Sequence, residues 1–245
     1  MSDRIAVVTG AGSGIGRAIA LALAESGDRV VAADLSADAA AATARQSADR
    51  VSVEAVDVAD PDSVANLAAA VADRLGAPSV LVNCAGWDET GPFLDTSPEF
   101  ADKVVAINYL GQVHVCRAFL PAMVDAGRGG RVVNIASDAG RVGSSGETIY
   151  AGAKGGVIAF SKSLAREMAR HQIGVNVVCP GPTDTPLFHD GVDEKLAQSL
   201  IRAIPFRRLA QPGEVAAAVR FLASADASYI TGQVLSVSGG LTMAG

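Results

Sequence analysis

The chain has 245 residues, 49% of them hydrophobic and 19% charged, with a net charge of -6. That length and apolar content suit one α/β domain with a full core, and the acidic balance argues against a basic nucleic-acid stripe. Cys84, Cys116, Cys179, His114, His171 and His189 are too scattered to suggest a metal site, and the cysteines read as small buried apolar side chains in a reducing compartment.

The chain opens MSDRIAVVTG and enters a strand-like run without a basic segment leading a long apolar one, so no secretion signal is expected. Short valine-rich runs then alternate with alanine-rich helical segments. Strands are expected at 5–9, 29–34, 51–57, 79–83, 130–137, 174–180 and 232–239. Helices are expected near 14–26, 37–49, 61–75, 98–126, 150–171 and 211–224. The strand runs lack strict polar alternation, which points to burial on both faces. This repetition predicts a Rossmann-type, doubly wound, seven-stranded parallel sheet with helices on both faces, in a single domain over 1–245. The stretch after Pro180-Gly181, over 183–210, is expected to be irregular and to serve as a substrate lid. The uncharged stretch 227–245 is broken by Gly232, Gln233, Ser236, Ser238, Gly239 and Gly240. It reads as a buried strand and turn, not as a membrane helix. The expected protein is cytoplasmic, with neither membrane nor nucleic acid as a partner.

TGAGSGIGRAIA joins the first strand to the first helix. Gly10, Gly14 and Gly16 allow the backbone to approach a pyrophosphate, with Ser13 and Ile15 in the same turn. The helix that follows aims its N–H groups at the negative charge. The spacing is Gly-x3-Gly-x-Gly and not the strict GxGxxG, so the turn draws its meaning from its place after a first strand. Asp34 ends the second strand, where a carboxylate accepts the adenosine ribose hydroxyls and repels a 2′-phosphate. Neither Ser13 nor Leu35 is basic, so NAD is expected over NADP. Asp57 and Val58, at the end of the third strand, are candidates for the adenine edge.

Residues 137–154 read SDAGRVGSSGETIYAGAK. On a helix, Tyr150 and Lys154 share one face. A nearby ammonium favours the phenolate and lowers a tyrosine pKa that is otherwise about 10. Small residues at 151, 152, 153 and 155 leave room for a cofactor. The pair suits proton transfer at a secondary alcohol beside a dinucleotide, although ordinary exposed helices also carry such pairs. Ser137, at the end of the fifth strand, is a candidate to hold the substrate oxygen, because active sites of open α/β sheets collect there. No GxSxG turn is present, which disfavours a Ser-His-Asp hydrolase.

Thr9-Gly10-x3-Gly14-Ile15-Gly16, Asn83-x-Ala85-Gly86, Asn108, Ser137, Tyr150-x3-Lys154 and Pro180-Gly181 together resemble the short-chain dehydrogenase/reductase family over essentially the whole chain. Cys84 departs from the pattern, since a second Asn is common there. The resemblance implies that Tyr150 exchanges the proton, Ser137 fixes the substrate oxygen and Lys154 also holds the nicotinamide ribose. It implies that Asn108 holds a water linking Lys154 to solvent. It places Asn83, Ala85, Gly86, Pro180, Gly181, Thr183 and Thr185 beside the cofactor. It further implies a homotetramer built on the helices at 98–126 and 150–171. NCAGWD and SDAGRVGSSGE are similar to a narrower subgroup, the 2-hydroxycyclohexanecarboxyl-CoA dehydrogenases, which implies a hydroxyacyl-CoA substrate. Two alternatives are a 3-oxoacyl-[acyl-carrier-protein] reductase and a non-catalytic dinucleotide-binding regulator. Asp34 weighs against the first, and the intact Ser137, Tyr150 and Lys154 weigh against the second. Trp87, Arg141 and Glu147 are candidates for lining the substrate pocket. Arg202, Arg207 and Arg208 are candidates for CoA phosphates, because Arg suits phosphate geometry.

Overall fold

Valine-rich runs become the strands of one sheet because the residues of its inner strands find apolar cover on both sides. In the computed structural model, which describes residues 4–47 and 49–244, the strands are β1 (Ile5–Thr9), β2 (Arg29–Asp34), β3 (Val51–Ala55), β4 (Val80–Asn83), β5 (Gly130–Ile135), β6 (Ile173–Pro180) and β7 (Val234–Val237). They form a seven-stranded sheet in the order β3-β2-β1-β4-β5-β6-β7, every pair parallel. This is the expected doubly wound architecture.

The helices are α1 (Gly14–Glu25), α2 (Ala37–Ala44), α3 (Pro61–Arg74), α4 (Pro98–Val105), α5 (Gly111–Asp125), α6 (Ala139–Val142), α7 (Thr148–Met168), α8 (Pro186–Gly191), α9 (Glu194–Ala203) and α10 (Pro212–Ala223). Alternate residues of β1 serve opposite faces. Ala6 and Val8 pack with Ile19 and Leu23 of α1 and with Val215 and Val219 of α10. Val7 packs on the other face with Leu67 and Val71 of α3 and with Phe119 and Met123 of α5. Each fully buried Val, Leu, Ile, Phe or Met among them contributes about 1.5–3 kcal/mol relative to exposure.

Local signals set several helix starts. Ser97 accepts the Phe100 N–H ahead of Pro98, and Asp60 accepts the Asp62 N–H ahead of Pro61. Gln211 and Glu214 form a reciprocal capping box around Pro212.

Three expectations are corrected. The helix expected at 98–126 is α4, a π-helical turn (Ala106–Leu110) and α5. The segment 183–210 is not irregular: it holds α8 and α9, and neither has a buried residue. α2 ends at Ala44 and β3 at Ala55, short of 49 and 57, and Ala48 lies outside the described residues. Among the described residues no helix is long and apolar enough to cross a membrane.

The strand order reverses between β1 and β4, which opens a crevice at their carboxyl ends. Two turns meet there. A Cβ on Gly10, whose φ is +67°, would lie 2.7 Å from the Ala85 Cα, so only glycine admits this approach.

Candidate active site

The glycine turn makes a cradle with a free end. Ser13 precedes α1 but makes no side-chain cap, and the first turn of α1 has no acidic residue. Its N–H groups are therefore available to an anion. A Cβ on Gly14 (φ +48°) would stand 3.2 Å from the Thr185 Cγ2, so the loop after β6 closes over the turn. Gly16 lies against the Gly10 carbonyl with no room for a side chain, and Ile15 packs on the core beside them.

Asp34 edges this cradle. Its two oxygens accept the Gly12 N–H at 2.8 Å and the Ser36 N–H at 3.0 Å. Each oxygen keeps a lone pair for a further donor, such as a ribose hydroxyl. Leu35 beside it is exposed. Asp57 lies past the end of β3 and accepts the Ala59 N–H, while Val58 is buried in the core. The free helix end, the Cβ-less turn and the carboxylate fit a dinucleotide.

Thr9 ties the second turn to the first, its hydroxyl accepting the Cys84 and Ala85 N–H groups at 3.1 and 3.3 Å. Nothing but its place in the motif signalled this role. Asn83 points elsewhere: its side-chain amide donates to Asn134 Oδ1 at 2.7 Å, inside the sheet. Its side chain is not brought to the cradle. Gly181 packs against Ser238 after Pro180 ends β6. Thr183 donates to the Gly181 carbonyl, and Thr185 caps α8.

The catalytic candidates converge beyond the ends of β4 and β5. Lys154 is buried in α7, and its Nζ donates to the Ile135 carbonyl at 3.0 Å. Asn108 is buried in the π-helical turn, a local widening of a helix that recurs at functional sites. Its side chain clamps Trp87 through both backbone groups, accepting the N–H at 3.2 Å and donating to the carbonyl at 2.5 Å. A Cβ on Gly86 would sit 3.0 Å from Asn108 Oδ1 and 3.5 Å from Lys154 Nζ, so the three meet at one point. Ser137 lies two residues past β5 and accepts the Ala139 N–H at 3.1 Å. Its hydroxyl also favours the Tyr150 phenolate.

Charge in this site departs from the simple expectation. Burial pushes the Tyr150 phenol up, and the Glu147 and Asp88 carboxylates add to the rise. Desolvation thus outweighs any help to the phenolate in the protein alone, and Tyr150 is held as a phenol. Burial also lowers Lys154 from 10.5 to about 8.

Trp87 packs edge-on against Phe100, with Lys103 Nζ 3.5 Å above its ring. Glu147 and Tyr150 line one narrow pocket together with Asp88, which composition gave no reason to single out. Arg141 turns away to Ser236 and the Ala244 carbonyl. Arg208 is paired bidentately with Glu214, at 2.7 and 2.6 Å, so its charge is already matched. Arg207 donates to the Arg202 carbonyl. Among the described residues no group of three or more His, Cys, Asp or Glu is placed to hold a metal ion.

The chain belongs to the short-chain dehydrogenase/reductase family: the family model described as enoyl-(acyl carrier protein) reductase matches residues 10–242. It is an oxidoreductase acting on CH–OH groups and the corresponding carbonyls. It is 41% identical to a (3R)-3-hydroxyacyl-CoA dehydrogenase of Homo sapiens over 99% of this chain and 97% of that one. It is 37% identical to a 3-oxoacyl-[acyl-carrier-protein] reductase of Vibrio cholerae over 99% of each. Two solved structures from Brucella melitensis superpose with a TM-score of 0.92. One, described as a ribose-5-phosphate isomerase, is 41% identical and matches over 99% of this chain and 93% of its own. The other, a 3-ketoacyl-(acyl-carrier-protein) reductase complexed with NADH, is 29% identical over 98% of each. A nicotinamide dinucleotide is accordingly the cofactor.

Proposed function

We propose that this protein is an NAD-dependent dehydrogenase of hydroxyacyl-CoA thioesters, interconverting a secondary alcohol and a ketone. The observation that carries the reading is the convergence of Ser137, Tyr150, Lys154 and Asn108 beyond the ends of β4 and β5. The names of the Homo sapiens and Vibrio cholerae relatives supply the thioester class. Asp34 beside the exposed, uncharged Leu35 supports NAD over NADP. Gly10, Ser13, Gly14, Ile15 and Gly16 would hold the pyrophosphate, and the loop from Pro180 to Thr185 would close over it. The segment 183–210 would act as the lid of a single domain.

When bound, the nicotinamide supplies the hydride acceptor or donor. Tyr150, held as a phenol, gives its proton to the ketone oxygen in reduction and takes it back in oxidation. Ser137 hydrogen-bonds the same oxygen and fixes its distance from the phenol. Lys154, with a pKa of about 8, carries charge near neutral pH and stabilises the phenolate that forms. Asn108 holds the Trp87 loop in place and, with Lys154, brackets the Gly86 backbone.

The assembly is read as a cytoplasmic homotetramer. Exposed Leu110 on the α4–α5 side and exposed Phe206, Tyr229 and Met243 near the carboxyl end support further burial between copies. The free state of Cys84, Cys116 and Cys179 suits a reducing compartment.

The test is NADH formation by the purified protein with NAD and a panel of thioesters. The panel holds linear 3-hydroxyacyl-CoAs, 2-hydroxycyclohexanecarboxyl-CoA, and each free acid as a control. Turnover of the CoA thioesters well above the acids is expected, and preference for the cyclic thioester would place the protein in the narrower subgroup. No turnover of any thioester would overturn the substrate class. Turnover only of acyl-carrier-protein thioesters with NADPH would favour the reductase of fatty-acid synthesis instead.

A further inference from the structure

Asp88 follows Trp87 in the loop after β4, and with Phe93, Thr96, Phe100, Glu147 and Tyr150 it lines the narrow pocket at the phenol. Neither of its carboxyl oxygens reaches solvent, and no side chain is hydrogen-bonded to either. Buried polar atoms are nearly always paired, so a group left unpaired beside a reacting residue asks for a ligand. We infer that Asp88 is a specificity-determining residue that donates its carboxyl O–H to a second oxygen of the substrate, the thioester carbonyl, while Ser137 and Tyr150 hold the reacting oxygen. The inference rests on the acyl-thioester reading above.

The chemistry of the pocket favours a donor. A thioester carbonyl only accepts hydrogen bonds, and no Asn, Gln, Lys, Arg or His side chain lines the pocket. The Thr96 hydroxyl is already spent on the Phe93 carbonyl at 2.7 Å, and Tyr150 serves the reaction. Thr148, Glu147 and Asp88 remain, and of these Asp88 alone has its polar atoms both buried and unpaired.

The surroundings keep the proton on. Burial raises the Asp88 carboxyl to about 7, and Glu147 at the start of α7 and Glu89 in the same loop add to the rise. The Glu89 N–H and the Lys154 ammonium oppose it. Lys103 of α4 is drawn to the Trp87 ring. A neutral Asp88 also removes one of the negative charges that resist ionisation of Tyr150.

The test uses the acetoacetyl thioester of N-acetylcysteamine, which keeps both oxygens and lacks the CoA phosphates. KM is measured with NADH from pH 6 to 9 for the wild type, Asp88→Asn and Asp88→Ala. For the wild type, KM is expected to rise about tenfold per pH unit above about 7, as the donor is lost. Asp88→Asn keeps an N–H donor that cannot ionise, so its KM should stay within about threefold of the wild-type pH 6 value throughout. Asp88→Ala should show a raised KM at every pH. A flat wild-type profile, which needs no variant to fold, would overturn the inference. So would Asp88→Asn binding as weakly as Asp88→Ala. Thioester turnover with a flat KM would sink the Asp88 role alone. Turnover of simple secondary alcohols or polyols but of no thioester would sink the thioester reading and this inference with it.

Discussion

The Lys154 ammonium nitrogen lies 5.5 Å from the centre of the Tyr150 ring and is anchored by the Ile135 carbonyl at 3.0 Å. Helical spacing puts the two residues on one face, and the fold then buries Lys154 fully and Tyr150 in part. The result is a cation kept dry for the sake of the reaction, at a cost in stability.

That cost is measurable in Lys154→Met. Burial lowers the lysine from 10.5 to about 8, so the unfolded chain binds the proton more tightly than the native one. The native state is therefore penalised fully below pH 8, and the penalty fades as pH rises towards 10.5. The displacement corresponds to about 3 kcal/mol, of which about 1 is offset by leaving the Ile135 carbonyl unpaired. Urea denaturation should find Lys154→Met more stable than the wild type by about 2 kcal/mol at pH 7, with the gap shrinking at pH 10. Turnover should fall at least about a hundredfold. A variant less stable than the wild type at pH 7 would show that the buried ammonium is well solvated by its partners.

Tyr150→Phe separates proton transfer from binding. Loss of a positioned general acid costs about 10²–10⁴ in rate, so kcat should fall by that factor. Cofactor affinity, read by NADH fluorescence, should stay within about threefold, because the glycine turn and Asp34 are untouched. Turnover equal to the wild type would remove Tyr150 from the mechanism.

Much of this was legible in the sequence. Valine runs located all seven strands: in the five inner ones burial on both faces leaves little room for polar residues, while the edge strands β3 and β7 are only partly covered and carry Ser52, Glu54 and Ser236. Glycines 10, 14 and 16 announced the turn because close backbone approach excludes Cβ atoms. Other features depend on surroundings that no local pattern encodes. The π-helical turn at Asn108 arises inside a continuous helical pattern, so 98–126 read as one helix. α9 does carry an apolar stripe at helical spacing, Leu196, Ala197, Leu200 and Ile201, but Pro180-Gly181-Pro182 before it and the absence of any fully buried residue made 183–210 read as irregular. Asn83 sits in the expected turn, yet its amide finds Asn134 across the sheet, a pairing set by strand register. The phenol of Tyr150 rises because desolvation and the nearby Glu147 and Asp88 carboxylates outweigh the help of the Ser137 hydroxyl, a balance fixed only by packing.

Cofactor choice turns on Asp34 and Leu35. Asp34→Ala combined with Leu35→Arg removes the carboxylate that repels a 2′-phosphate and adds a guanidinium that binds one. kcat/KM with NADH should fall about tenfold or more, and that with NADPH should rise by a similar factor. Some of the loss with NADH comes from the Gly12 N–H, which Asp34 accepts at 2.8 Å. Unchanged preference for NADH would take Asp34 out of its assigned role.

Gly86→Ala tests whether the meeting of Asn108 and Lys154 is functional or merely packed. Gly86 is not forced by its backbone, since it is not among the glycines with positive φ. What an added methyl meets is Asn108 Oδ1 at 3.0 Å and Lys154 Nζ at 3.5 Å. The contact with Lys154 is ordinary, while that with Asn108 is tight enough to require a shift of a few tenths of an ångström. Asn108 cannot yield freely, because it holds both backbone groups of Trp87 and the Val104 carbonyl. The strain should therefore pass to the Trp87 loop and to the polar space between Asn108 and Lys154. A modest loss of stability, about 1 kcal/mol, is expected from overpacking. The fall in kcat should be larger, about tenfold to a hundredfold, because an ångström of misplacement at the reacting groups costs rate steeply. If kcat holds while stability falls, the glycine serves packing alone and the link from Asn108 to Lys154 plays no part in turnover.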